Sequence, residues 1–204
     1  MDTAWVNRWL DSLEILIERL PITWTLFDPT PTFYVALEDS EDRSLVATVS
    51  QIGRHLDLKV LPSATYEWSL RMEGNVAGQI HFGGHTPSQI HIPLVYVGNA
   101  FALGGILAHE LTHEFLNRRG IHFANADELE LVTDLASIAL GLGKLFLNGT
   151  VLKGAADQNH TLGYLNPRLK AYSFREVNRR HMVRENVAAE NLCIEALTLY
   201  GQAI

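Results

Sequence analysis

Apolar residues near the start of the chain recur at the helical period. Over residues 4–20, Trp5, Trp9, Leu13, Leu16 and Leu20 fall along one stripe, which predicts an amphipathic helix, and Pro21 stops the run. Residues 22–43 are rich in Pro, Thr and Asp and read as loop with one short strand, TFYVAL. A second helix is predicted over 44–56. Between Leu58 and Tyr96 the pattern changes. β-Branched and aromatic residues in KVLPSATYEW, VAGQIHF and QIHIPLVYV are broken by turn signals, and GGHTPS at 83–88 joins the last two runs as a hairpin. From Leu103 the helical period returns and predicts helices over 103–118, 126–147, 167–180 and 183–200. Gly120 ends the first of these, with Arg118 and Arg119 in the last turn where cations suit the helix dipole. Asn125 followed by Glu128 resembles a capping box opening the second. The order is helices, a small antiparallel β-sheet with the hairpin, then a helical half. That is an α+β arrangement, expected to form a single domain over 1–204.

Composition narrows the picture. Apolar residues make up 47% of the 204 and charged residues 19%, which excludes a disordered chain. A net charge of −7 argues against nucleic acid as the main partner, because phosphate contacts call for a basic excess. The single cysteine, Cys193, cannot form an internal disulfide, which favours a reducing compartment. Asp2, Arg8 and Asp11 interrupt the N-terminal run, so it lacks the shape of a signal peptide. The stretch between Glu73 and Glu110 carries no Asp, Glu, Lys or Arg, but glycines, prolines and histidines break it, so it is not a membrane-spanning helix. The expectation is a soluble cytoplasmic protein with no membrane partner.

The chemistry lies in His109-Glu110-Leu111-Thr112-His113, an HExxH motif. Histidines four apart sit on one face of a helix and can bind one zinc ion together. Glu110 lies about 100° round the helix, beside the metal rather than on it, where a general base is needed. About 3% of shuffled chains of this composition would contain the pentapeptide, so its context matters. That context is helical and apolar: Ile106, Leu107, Leu111, Phe115 and Leu116. An open catalytic zinc site needs a third protein ligand. Glu130 and Asp134 share a face of the following helix, and Asp127 lies on that face too. The short loop 119–125 lets the two helices pack antiparallel and bring a carboxylate to the imidazoles.

HELTH followed 17 residues later by Glu130-Leu-Val-Thr-Asp134 resembles the HExxH…ExxxD pattern of gluzincins, the thermolysin-like metallopeptidases. The resemblance covers roughly residues 89–147. It implies a zincin-like fold, one Zn2+ per chain on His109, His113 and Glu130, and Glu110 as general base. It also implies that Asp134 holds a zinc-binding histidine from behind, with Asp134 the alternative third ligand. The run TDLASIALGLG with GYL at 163–165 is similar to compact bacterial HExxH proteins. At 204 residues the sequence is far shorter than thermolysin, a departure from that family's usual size. The implied activity is hydrolysis of a peptide or protein substrate.

Other residues are weighed against that reading. Gln89–Val97 runs directly into the motif helix and is a candidate edge strand for pairing with an extended peptide, with Pro93 suited to an edge or a strand's end. Donors for an oxyanion are sought in Tyr164, the leading candidate within GYLNP, and in His160, Arg175 and His181. Arg175, Arg179, Arg180 and Arg184 read as a charged helix face balanced by Glu176 and Glu185. Gly141 and Gly143 read as sites of close helix packing, and His81, His85 and His91 as hairpin histidines that could approach the zinc. A di-iron bundle would need a second Glu-x-x-His, and a deformylase an upstream cysteine. The alternatives that stay open are a non-catalytic zinc-containing module that binds a protein or peptide, and a hydrolase of a non-peptide amide or ester.

Overall fold

In the computed structural model, which describes residues 2–38, 42–67, 77–84, 86–123, 125–150 and 163–203, the protein is mixed α+β. Helices α1 (Thr3–Glu18), α2 (Pro31–Glu38) and α3 (Asp42–His55) come first. Strands β1 (Ser63–Glu67), β2 (Gln79–His81) and β3 (Gln89–Pro93) follow, ending in a tight 3-10 turn at Leu94–Tyr96. Helices α4 (Ala100–Arg118), α5 (Ala126–Ser137), α6 (Gly143–Asn148), α7 (Pro167–Arg180), α8 (Glu185–Ala189) and α9 (Ile194–Gln202) complete the chain. Helix α4 is the hub, packing against α2, α3, α5, α6 and the sheet. It is apolar nearly all round, and Leu103, Leu107, Ala108 and Leu111 are fully buried, as expected of a helix through the centre of a core. Among the described residues no helix is long and apolar enough to cross a membrane.

The segment TFYVAL is helical, not a strand. Thr30 Oγ1 accepts from the Phe33 N–H, Pro31 occupies the first turn, and Phe33, Tyr34 and Leu37 bury one face. A Thr cap followed by Pro is a helix start that outweighs the β-branched content.

The sheet is mixed rather than antiparallel. Its order is β1-β3-β2, with β1 parallel to β3 and β2 antiparallel to it. The turn after β2 leads into β3, but β1 and β2 lie on opposite sides of β3. Strand β3 is therefore central, and the edge-strand expectation for Gln89–Val97 fails. Ile90 and Ile92 are fully buried, and Pro93, with no N–H to donate, sits at the strand's end. Among the described residues β2 is the edge next to α4.

The helix expected over 126–147 is interrupted. Residues Ile138–Leu142 form a π-helical segment, and Gly141 adopts φ +88°. Three carbonyls there turn outward: Ala139 O accepts from Trp24 Nε1, Leu140 O pairs with His55 Nε2, and Gly141 O accepts from the Phe27 N–H. A methyl group on Gly141 would fall 2.1 Å from Thr25 O, and one on Gly143 2.3 Å from the Phe174 ring. Close packing is thus the use of both glycines. The helix expected over 183–200 divides into α8 and α9. Asn191 takes φ +61° between them, and Asn148 binds the break, donating to Asn191 O and accepting from the Cys193 N–H.

Candidate metal centre

Helix α4 starts where Asn99 Oδ1 caps the Ala102 N–H and ends before Gly120, whose φ of +68° turns the chain back. Asn125 Oδ1 then caps α5 at the Asp127 N–H. This short return brings α5 against α4, so that the faces carrying His109, His113 and Glu130 meet. Glu130 Oε2 lies 3.0 Å from His109 Nε2 and 3.2 Å from His113 Nε2, and the two Nε2 atoms are 3.0 Å apart. These three residues are a group that could hold a metal ion, and among the described residues it is the only such group of three or more.

The opposite ring nitrogens each have a partner that can hold them as donors. His109 Nδ1–H donates to Asp134 Oδ1 at 3.0 Å. His113 Nδ1 meets Thr133 Oγ1 at 3.3 Å, so a donating Nδ1–H leaves its Nε2 a lone pair as well. With both Nε2 atoms deprotonated, three Lewis-basic atoms face one point, an arrangement that suits a cation between them. Asp134 is fully buried, and its other oxygen, Oδ2, accepts from the Tyr164 and Leu165 N–H groups at 2.6 and 2.7 Å. Thr112 and Ser137 tie the two helices together deeper in the core through a 2.9 Å hydrogen bond.

Electrostatics in the cluster follow from burial and proximity. Burial pulls His109 down, but hydrogen bonds to Asp134 and Glu130 outweigh it and lift the imidazole to about 10. Burial raises Glu130, and the two histidines outweigh that in turn, leaving the carboxyl at about 2. Glu110 stands beside the cluster, 5% exposed, and burial pushes its carboxyl upward against the pull of the two imidazoles. The Ile80 backbone N–H on β2 hydrogen-bonds to it. Gly78 gives it room: a methyl there would lie 3.0 Å from Glu110 Oε1 and 2.6 Å from Ile106.

Tyr164 lies at the same site. Its ring faces His109 at 6.2 Å between centroids and 26° between planes, and it is 44% exposed. Burial and then the nearby carboxylates of Glu130, Asp134 and Glu110 push its hydroxyl up to about 12. The other candidates lie elsewhere. Asp127 is exposed in the first turn of α5. His181 stacks flat on Trp24 at 3.8 Å. Arg175 pairs with Glu185, and Arg179 and Arg180 bind Glu176 on α7, while Arg184 lies off that helix at the start of α8. His81 and His91 pack edge to face on the side of the sheet opposite Ile80, Ile90 and Ile92, and His91 pairs with Glu67. His85 and His160 lie outside the described residues. Nothing in the sequence alone singles out Thr133, the partner of His113, although it stands between Glu130 and Asp134 on α5.

No family model, no curated protein and no solved structure matches this chain.

Proposed function

We propose that the protein is a zinc-dependent hydrolase, a metallopeptidase of gluzincin type that cleaves peptide bonds. The observation that carries this reading is the convergence of His109 Nε2, His113 Nε2 and Glu130 Oε2 to within 3.0–3.2 Å, with the buried Glu110 carboxylate alongside. The donor set suits zinc. A tetrahedron with bonds of about 2.0–2.1 Å has edges of about 3.3 Å, close to these separations, and three protein ligands leave one position open. A purely structural zinc site would close that position with a fourth residue.

Bound zinc supplies a Lewis acid that makes water nucleophilic near neutral pH. The rest falls to the chain. In this reading Glu110 takes a proton from the attacking water on its carboxylate and passes it to the leaving amine. Its upward shift brings it toward the range where a base and an acid can be the same group. Asp134 and Thr133 hold the two imidazoles with their Nε2 atoms aimed at the site. Tyr164, kept protonated at neutral pH, can donate its O–H to a developing oxyanion. The β2 edge, joined to Glu110 through Ile80, offers backbone groups with which an extended peptide can pair.

The test is Glu110→Gln. The variant should keep zinc and fold as the parent does, while peptide hydrolysis falls by about 10²–10⁴-fold. Equal behaviour of variant and parent on every substrate, with zinc bound in both, would point instead to a non-catalytic zinc-containing binding module.

A further inference from the structure

A buried cation stands behind the candidate metal centre, and its role rests on the zinc reading above. Lys170, on α7, is fully buried. Its Nζ lies 4.8 Å from the centroid of the Phe146 ring, and Phe146 in turn stacks against His109 at 6.1 Å and 24°. Gly163 stands between the ammonium and Asp134. It adopts φ +77°, and a methyl group there would fall 2.7 and 2.8 Å from the two Asp134 oxygens and 3.0 Å from Lys170 Nζ. Carboxylate and ammonium therefore crowd the same face of one glycine. Asp134 already accepts from three N–H groups: His109 Nδ1, Tyr164 and Leu165. Its orientation does not need a fourth donor, so what the lysine adds is charge.

We propose that Lys170 is a charge-compensating residue of the metal centre: it helps to offset the Asp134 carboxylate buried behind His109, stabilises the site before zinc enters, and tempers the affinity for zinc. The physical need is plain. Glu110, Glu130 and Asp134 bring three carboxylates to one cluster, of which the His109 imidazole, hydrogen-bonded to Asp134 and Glu130, offsets one charge. Like charges in a medium of low dielectric repel strongly, and an uncompensated buried carboxylate is costly. A nearby cation relieves that repulsion in the metal-free protein and opposes the entry of a second cation. Burial pulls the lysine down to about 8 while the field of Asp134 pulls it back up, as expected of a buried ammonium near a carboxylate.

The experiment compares the full chain with Lys170→Met, Asp134→Asn and the double variant. Melting temperatures are taken in chelator and in excess zinc, and zinc affinity is measured by competition with a chromogenic chelator. Lys170→Met removes the charge and keeps most of the volume. It is expected to melt lower in chelator, to be rescued more than the parent by zinc, and to bind zinc about tenfold tighter or more. In chelator the loss in the double variant should be smaller than the sum of the two single losses. Unchanged or weaker zinc binding by Lys170→Met, with equal losses in melting temperature with and without zinc, would overturn the proposal, because a packing role predicts that result. Additive losses in the cycle would overturn it too. Should Lys170→Met alone fail to fold, folding of the double variant supports charge compensation and its failure contradicts it. If the parent binds no zinc, the metallopeptidase reading fails by itself, and the metal-free cycle still decides whether Lys170 compensates Asp134.

Discussion

Asp134 shows how much one buried side chain can organise. One oxygen holds the His109 ring and the other gathers two backbone N–H groups from the turn before α7. Asp134→Asn can keep the shape but lacks the charge that favours a donating Nδ1–H, and zinc affinity is expected to fall about 10–100-fold, as read by chelator competition. Glu130→Ala should instead lose the metal outright. Zinc lost only from an Asp134 variant would reverse the two assignments. Glu176 carries the pH dependence away from the site. Hydrogen bonds from Arg179, and then Arg180 against the effect of burial, hold its carboxyl at about 2. A carboxyl lowered on folding contributes stability above its unfolded value, and the contribution fades as pH falls toward the folded one. The parent should therefore exceed Glu176→Gln by about 1 kcal/mol near neutrality, and chemical denaturation should show that gap closing between pH 5 and pH 2. The residues of HExxH…ExxxD were legible because a fixed spacing on a helix fixes the face. Thr133 and Lys170 were not, because their meaning depends on which ring or carboxylate lies across the packing.

At the scale of elements, the sequence pattern read local preference well and partnership poorly. The hairpin and the starts of α5 and α7 follow from turn and capping residues. Asn125 and Asn166 cap α5 and α7, and Pro167 opens the second of these helices. Strand order is a long-range fact, and nothing in QIHIP states that both of its edges will be occupied. The break after α5 has the same origin. Residues 126–147 carry a continuous helical period, yet the loop containing Trp24 and Phe27, together with His55 of α3, takes up carbonyls at 139–141. That exchange is possible only because Gly141 accepts a left-handed conformation with another backbone pressed against it. Gly141→Ala is expected to cost about 2–4 kcal/mol, read as a lower midpoint in chemical denaturation with the slope unchanged. A stability equal to the parent's would show that the π-helical segment does not depend on this glycine.

For the molecule as a whole, the core and the candidate site share one helix. Helix α4 supplies the centre of the packing on most of its surface and two imidazoles on the rest. Metal binding and fold stability are then linked, since anything that binds only the folded chain stabilises it by mass action. Titrating zinc should raise the melting temperature in a concentration-dependent way. His113→Ala should abolish that rise while leaving the metal-free protein folded. The most direct test of a zinc centre on α4 and α5 is the metal content of the protein itself, measured by elemental analysis after dialysis against trace zinc, for the parent and for His113→Ala side by side. The expected result is about one zinc per parent chain and none in the variant. A parent chain that stays empty, or a variant that holds as much zinc as the parent, would contradict it.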